Sequence, residues 1–166
     1  MRKGLLYILM MFSLMACSSG DGCMQEVKSS MKAEIYHMVF DSSIERFIPE
    51  KYSVSLTLHG LNNDSLLYDS FSASAIEFPL QKLDTISSFV LTTSVLVGNN
   101  MVTTIDTIDF YHKNNEEFVS LECGCIVKNT LTGVAQTTNR IDSIVVISPE
   151  VNPQSKNNIK IYLNQR

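Results

Sequence analysis

The sequence predicts an all-β domain: a two-sheet antiparallel β-sandwich, immunoglobulin-like or transthyretin-like, with about eight strands. Three observations predict it. Apolar residues recur in ones and twos rather than in the threes and fours of a helix. After residue 16, Ser and Thr supply 30 residues and Ala only four, a balance that favours extended backbone. Short alternating runs are separated by Gly, Asn and Asp, which tolerate turn geometry. A strand with one apolar face needs a second layer over it, and about 150 residues bury roughly 68–70% of their unfolded surface, enough for one core.

Taken in order, Met31 to Phe40 reads as the first strand. Ser42 to Lys51 is expected to hold one short helical turn, interrupted by Pro49. Tyr52 to Gly60 alternates without a fault and places Tyr52, Val54, Leu56 and Leu58 on one face. Asn62-Asn63-Asp64 reads as a turn rather than a calcium loop. Ala75 to Leu80 is a weaker strand. Phe89, Leu91, Thr93, Val95 and Val97 share a face, Gly98-Asn99-Asn100 suits a hairpin turn, and Val102 to Tyr111 returns. In that return, Ile105 and Ile108 are three apart but Ile108 and Phe110 two apart, which predicts a bulge near Asp106-Thr107. Phe118 to Lys128 is expected to be one strand with Val119, Leu121, Cys123, Cys125 and Val127 inward. Ile141 to Ser148 and Asn158 to Leu163 close the domain, joined by a loop containing Pro149 and Pro153.

The first 16 residues read as a cleaved secretion signal: Arg2 and Lys3, then an apolar stretch from Leu5 to Met15 that is too short to remain as a spanning helix. Leu14-Met15-Ala16-Cys17 resembles the bacterial lipobox, so Cys17 is expected to be diacylglycerated and to become the first residue. At about 0.8 kcal/mol per buried CH₂, several acyl chains anchor a domain stably where one would not. Membrane lipid is therefore the first expected partner. Residues 17–27, with Ser18-Ser19-Gly20-Asp21-Gly22, form a flexible tether, and 28–166 the sandwich. Ser18 directly after the Cys resembles outer-membrane sorting. The lone acid Asp21 favours the periplasmic face over surface export.

Cleavage leaves eleven basic and seventeen acidic side chains. That balance disfavours nucleic acid. Three thiols remain in an oxidising compartment. Cys123 and Cys125, two apart in an extended run, stand at about 6.5–7 Å, at the limit for a bridge. Cys23 with Cys123 is the expected disulfide, closing a loop of about 100 residues for about 4–5 kcal/mol. Cys125 is then a free buried thiol.

No nucleophile elbow, zinc-protease signature, phosphate loop or EF-hand run occurs. His37, His59 and His112 read as surface or strand-end residues. Asp106/Asp109 and Asp64/Asp69 read as solvated edge and turn carboxylates. The sequence thus points away from an enzyme, a metal or a cofactor. Six of eight Asp residues precede Ser or Thr. Four continue with an aliphatic residue, which resembles the periplasmic O-glycosylation acceptor of Bacteroidota and marks Ser65, Thr85, Thr107 and Ser143; an Asp turn followed by a strand start is the plainer reading of the same pattern.

The lipobox, Cys23, Phe118-Val119-Ser120-Leu121-Glu122-Cys123-Gly124, Thr138-Asn139-Arg140-Ile141-Asp142-Ser143-Ile144 and the terminal Asn158-Ile159-Lys160-Ile161-Tyr162 together resemble a small Bacteroidota envelope lipoprotein family of unknown function. The resemblance implies envelope location and a β-fold, and no activity. The expected function is a non-enzymatic, membrane-anchored module that binds or supports an outer-membrane or periplasmic protein through an apolar patch or unpaired sheet edge. The alternative is a small-ligand or glycan-binding lipoprotein using a pocket, with Tyr36, Tyr111 and Tyr162 as outward rings.

Overall fold

Strand β1 (Ser30–Asp41) organises the first sheet, burying Met31, Ala33 and Ile35 while Lys32, Glu34 and Tyr36 face outward. One edge of β1 is shared. Antiparallel β5 (Ala75–Pro79) pairs with Ser30 to Glu34, and antiparallel β2 (Arg46–Lys51) pairs with Tyr36 to Asp41. Ile35 closes the handover, its amide donating to Ser74 O (2.8 Å) and its carbonyl accepting from Tyr52 N (3.0 Å). The other edge takes β11 (Ile159–Leu163) in parallel, and β9 (Ile141–Val146) completes the sheet. The computed structural model describes residues 30–63, 66–120, 124–152 and 156–164, with the backbone alone for 119, 120 and 124–126.

The second sheet runs β10 (Glu150–Val151), β8 (Gly124–Gln136), β7 (Asn100–Ser120), β6 (Ile86–Val97), β3 (Val54–Gly60) and β4 (Leu66–Ala73), each antiparallel to its neighbour. Its inward side chains, Val54, Leu56, Leu58, Phe89, Leu91, Ile108, Phe110 and Leu131, meet Met31, Ile35, Ile76, Phe78, Ile159 and Ile161 of the first sheet. Phe78 stands edge-on to both Phe89 and Phe110, with centroids 5.0 Å apart in each case. Such edge-to-face pairs contribute about 0.5–1.5 kcal/mol beyond area burial.

The architecture is the expected sandwich; the described residues form eleven strands rather than eight, and among them β1 and β11 pair in parallel. Four local expectations are corrected. Residues 46–51 form β2, not a helical turn: Asp41 caps the preceding turn by accepting from Ser43 N (2.8 Å), and Glu45 takes φ +51° to turn the chain back. β7 pairs with β6 without a register shift, so there is no bulge at Asp106-Thr107; Ile105 faces outward and Asp106 inward. The run from Phe118 to Lys128 is not one strand. Ser120 pairs with Gly124, so it is the far end of the β7–β8 hairpin, and Phe118 is exposed. The loop before β11 contains the short strand β10. The β6–β7 turn is as expected: Gly98 has φ +62° as the first of two loop residues, the type II′ arrangement that glycine adopts without strain.

Candidate functional site

The register of the two sheets defines the ends of the molecule. Tyr52 bonds to Ile35 at the crossing from the first sheet to the second, and Asp106 accepts from Ile141, which pairs with Leu163 beside His37. The parts of β1 beyond His37 and of β6–β7 beyond Asp106 therefore overhang the same end. Phe40 and Phe47 oppose one another there with rings 5.3 Å apart, and Ile44, Leu96, Val97, Met101 and Val102 are exposed. The other end, where β1 begins, carries the far half of the β7–β8 hairpin. β6 stops at Ile86, which pairs with Tyr111; His112 and Asn114 are still held by the β5–β6 loop, and β10 flanks β8 at Asn129 and Thr130, so residues 115–120 of β7 continue with β8 alone as an arm of about 20 Å.

Asp106 is 1% exposed. Its Oδ1 accepts from Thr137 Oγ1 (2.7 Å) and Asn139 N (2.8 Å), and its Oδ2 from Arg140 N (2.8 Å) and Ile141 N (3.2 Å). The carboxylate satisfies the backbone of the chain leaving β8 and sets where β9 enters the first sheet. Asp109, three residues on, lies on the opposite face, so the two are not a carboxylate pair. Burial overturns the reading of Asp106 as a solvated edge residue.

His112 is 2% exposed, not a surface residue. Its Nδ1 lies 2.7 Å from Asn114 Oδ1 and its Nε2 2.8 Å from Ser87 Oγ. Asn114 Nδ2 donates to the carbonyls of Gln81, Lys82 and Asp84, which turns its Oδ1 to His112 and to Asn129 Nδ2. Nδ1 therefore carries the proton, and Nε2 accepts from the Ser87 hydroxyl, whose oxygen accepts from Gln81 N (2.8 Å). Hydroxyl, imidazole and side-chain carbonyl follow the order of a hydrolase triad. Ser87 backs an adjacent cleft, but it is 0% exposed and its oxygen already accepts from the Gln81 amide, so the hydroxyl is not presented to a substrate carbonyl in this arrangement. The arrangement pins the β5–β6 loop to β7. Above that loop an open cleft of about 540 Å³ is bordered by Leu61, Asn62, Asn63, Gln81 and Asp84.

On the outer face of the first sheet, Glu34 accepts from Lys51 Nζ (2.5 Å), Tyr36 Oη (2.9 Å) and Asn157 Nδ2 (2.9 Å). The Lys51 ammonium, followed by the Tyr36 hydroxyl, holds the Glu34 carboxyl below its usual 4.5, and the same contact raises Lys51. Lys160 lies over the Tyr36 ring, which packs near Tyr162. Because the folded Glu34 is the stronger acid, its contribution to stability is present above the unfolded pKa and lost as pH falls through the folded value. Glu34→Gln is therefore expected to flatten the acid limb of the urea midpoint against pH, and to match wild type once Glu34 is protonated. A gap that persists unchanged into acid would contradict this.

The expected modification sites are scattered. Thr85 is exposed in the β5–β6 turn with its amide on Asp84 Oδ1 (2.8 Å), whereas Thr107 and Ser143 are half-buried within β7 and β9. Ser65, Cys17, Cys23 and Cys123 lie outside the described residues, as does the side chain of Cys125. Of the histidines, His37 stacks on Tyr52 (4.4 Å) and His59 contacts Gly60 O (3.0 Å). Among the described residues no three His, Cys, Asp or Glu side chains converge as metal ligands. No described helix is long and apolar enough to cross a membrane.

A family model described as a family of unknown function, DUF6452, matches residues 55–163. The match runs from β3 to the end of β11, so it contains Asp106, the His112 network and the arm, and leaves β1 and β2 outside. No curated protein and no solved structure matches the chain.

Proposed function

We propose that this chain, which belongs to the family of unknown function DUF6452, is a non-enzymatic envelope lipoprotein that holds out the β7–β8 arm for an extended segment of a second envelope protein. Residues 1–16 act as its signal and Cys17 carries the lipid, on the inner face of the outer membrane; the leader and lipobox support this half of the reading. The open edge of the arm carries the other half. Among the described residues no strand pairs with residues 115–120 on the side opposite β8, beyond the β5–β6 loop that lies along His112 and Asn114. The His112 amide points to that side, to Thr85 O (2.8 Å), and the two-residue repeat places the Glu116 and Phe118 amides on the same edge.

A two-stranded ribbon is marginal in water, and the Lys128–Glu117 ion pair across it adds little at an exposed position. A third strand would bond the open edge and cover Phe118, which is 62% exposed. With a photo-crosslinking side chain at position 118 of the full chain in its native envelope, a protein adduct is expected. Glu116→Pro removes one edge donor while sparing the ladder to β8, and is expected to cut the adduct about tenfold, since a lost main-chain bond and the added ring bulk together exceed about 1.4 kcal/mol. An adduct unchanged by Glu116→Pro, or no protein adduct at all, overturns the proposal. In the latter case the small-ligand reading remains, resting on Asn62, Asn63, Gln81 and Asp84 around the cleft.

A further inference from the structure

We infer that the hairpin end of the sandwich, opposite the arm, inserts into a lipid surface, with Phe40, Ile44 and Phe47 of the β1–β2 hairpin and Leu96, Val97, Met101 and Val102 of the β6–β7 hairpin entering the interfacial layer. The inference rests on the membrane-tethered reading for its setting and on separate observations for its content.

The β6–β7 tip exposes apolar side chains on both faces. Leu96 (68% exposed) and Met101 (66%) are paired on the outer face, while Val102 and Val97 are exposed on the inner one. A ribbon apolar on both sides gains little from docking on a flat protein, which covers one face; a fluid hydrocarbon boundary surrounds it. No charged side chain occurs between Asp84 and Asp106, so inserting this tip strips water from no ion. The backbone of the turn is kept short by Gly98, and Asn99 and Asn100 can bond headgroups, which limits entry to the interface. The β1–β2 hairpin carries a second apolar point on the other sheet, Phe40 opposite Phe47 with Ile44 in the turn; the Asp41–Arg46 pair and Glu45 stand nearer the turn than the two rings, so this hairpin enters only to the headgroup level, where those charges stay hydrated. With both signs of charge there and none on the other tip, the expected surface is zwitterionic.

The tether has the reach this requires. Twelve residues separate Cys17 from Ser30, so the connection spans up to about 45 Å. β1 spans about 36 Å from Ser30 to the hairpin turn. The chain can therefore leave the bilayer, run the length of β1, and enter the fold at the far end, leaving the arm directed into the periplasm. A Cys23–Cys123 disulfide would instead tie the tether to the segment that joins β7 and β8 and hold the hairpins away from the bilayer, so the two arrangements are separable.

The chain contains no Trp, and a single one can be placed at either end of the full lipidated protein. Met101→Trp and Phe118→Trp replace exposed side chains, so neither substitution disturbs the core. On adding phosphatidylcholine–phosphatidylethanolamine vesicles, Trp emission at position 101 is expected to shift to the blue and to be quenched by brominated acyl chains. Emission at position 118 should do neither. Leu96→Trp should repeat the result at 101. Emission at 101 that stays at the aqueous wavelength while the protein floats with the vesicles overturns the inference and leaves the tether standing. Failure to float together with no shift overturns both. A shift at both positions contradicts the upright arrangement.

Discussion

Asp106→Asn is expected to destabilise the domain by about 3–5 kcal/mol, a large part of the 5–15 kcal/mol typical of a whole domain. The carboxylate accepts four hydrogen bonds, two on each oxygen, and three come from backbone amides. Asn offers one oxygen. Turned one way, its NH₂ faces the amides of Arg140 and Ile141; turned the other, it faces Thr137 and Asn139. Thr137 can rotate its hydroxyl to accept, but the Asn139 amide cannot. Either orientation strands buried donors, each costing about 1–3 kcal/mol. Urea denaturation with amide exchange at Arg140 and Ile141 checks this. Loss of protection at those two amides is expected together with the lowered midpoint. A loss under about 1 kcal/mol would mean that the carboxylate does not organise the entry to β9.

His112→Ala is expected to cost about 3 kcal/mol. The substitution opens a cavity at a 2% exposed position and removes the acceptor of the Ser87 hydroxyl and a donor to Asn114. Asn114 would then hold the carbonyls of Gln81, Lys82 and Asp84 with one of its own supports gone. The β5–β6 loop should loosen before the sandwich does, so limited trypsin digestion should cut after Lys82 faster in the variant. Ser87→Ala should show a smaller effect of the same kind, about 1 kcal/mol, because the imidazole stays in place. Unchanged cleavage at Lys82 with unchanged stability would remove the pinning role.

The burial of both residues is legible in the parity of β7, and their polar side chains obscure it in different ways. Asp106 and His112 share the parity of Ile108 and Phe110, so an uninterrupted strand places all four inward. The expected bulge at Asp106-Thr107 lets Ile105 join the core and puts the carboxylate outside, whereas His112 is placed at a surface or strand end by its residue type alone. The donors that satisfy the buried Asp106 carboxylate lie more than thirty residues away in the chain, beyond the reach of local patterning. The alternating strands Met31 to Phe40, Tyr52 to Gly60 and Phe89 to Val97 were recovered because each has one buried face, the condition under which period-two patterning is informative. β2 and β4 escaped for the converse reason. β2 is exposed throughout, and β4 is exposed over most of its length and broken by Ser70 at φ +49°, so neither alternates. Val119, Leu121 and Val127 alternate with polar residues, which gives the arm the sequence pattern of a core strand. Alternation marks a face, and the sequence alone does not say whether a second sheet covers it.

Both the tethered arm and the inserted hairpins require the domain to stay at a membrane, and the lipid proposed at Cys17 is what would keep it there. The direct measurement is metabolic labelling with palmitate in the native host, followed by mass analysis of the mature N-terminus. The account predicts label on the wild-type chain, an acylated Cys17 as its first residue, and loss of both label and membrane association in Cys17→Ala. A wild-type chain that carries no label, or a Cys17→Ala chain that is still labelled, would contradict it.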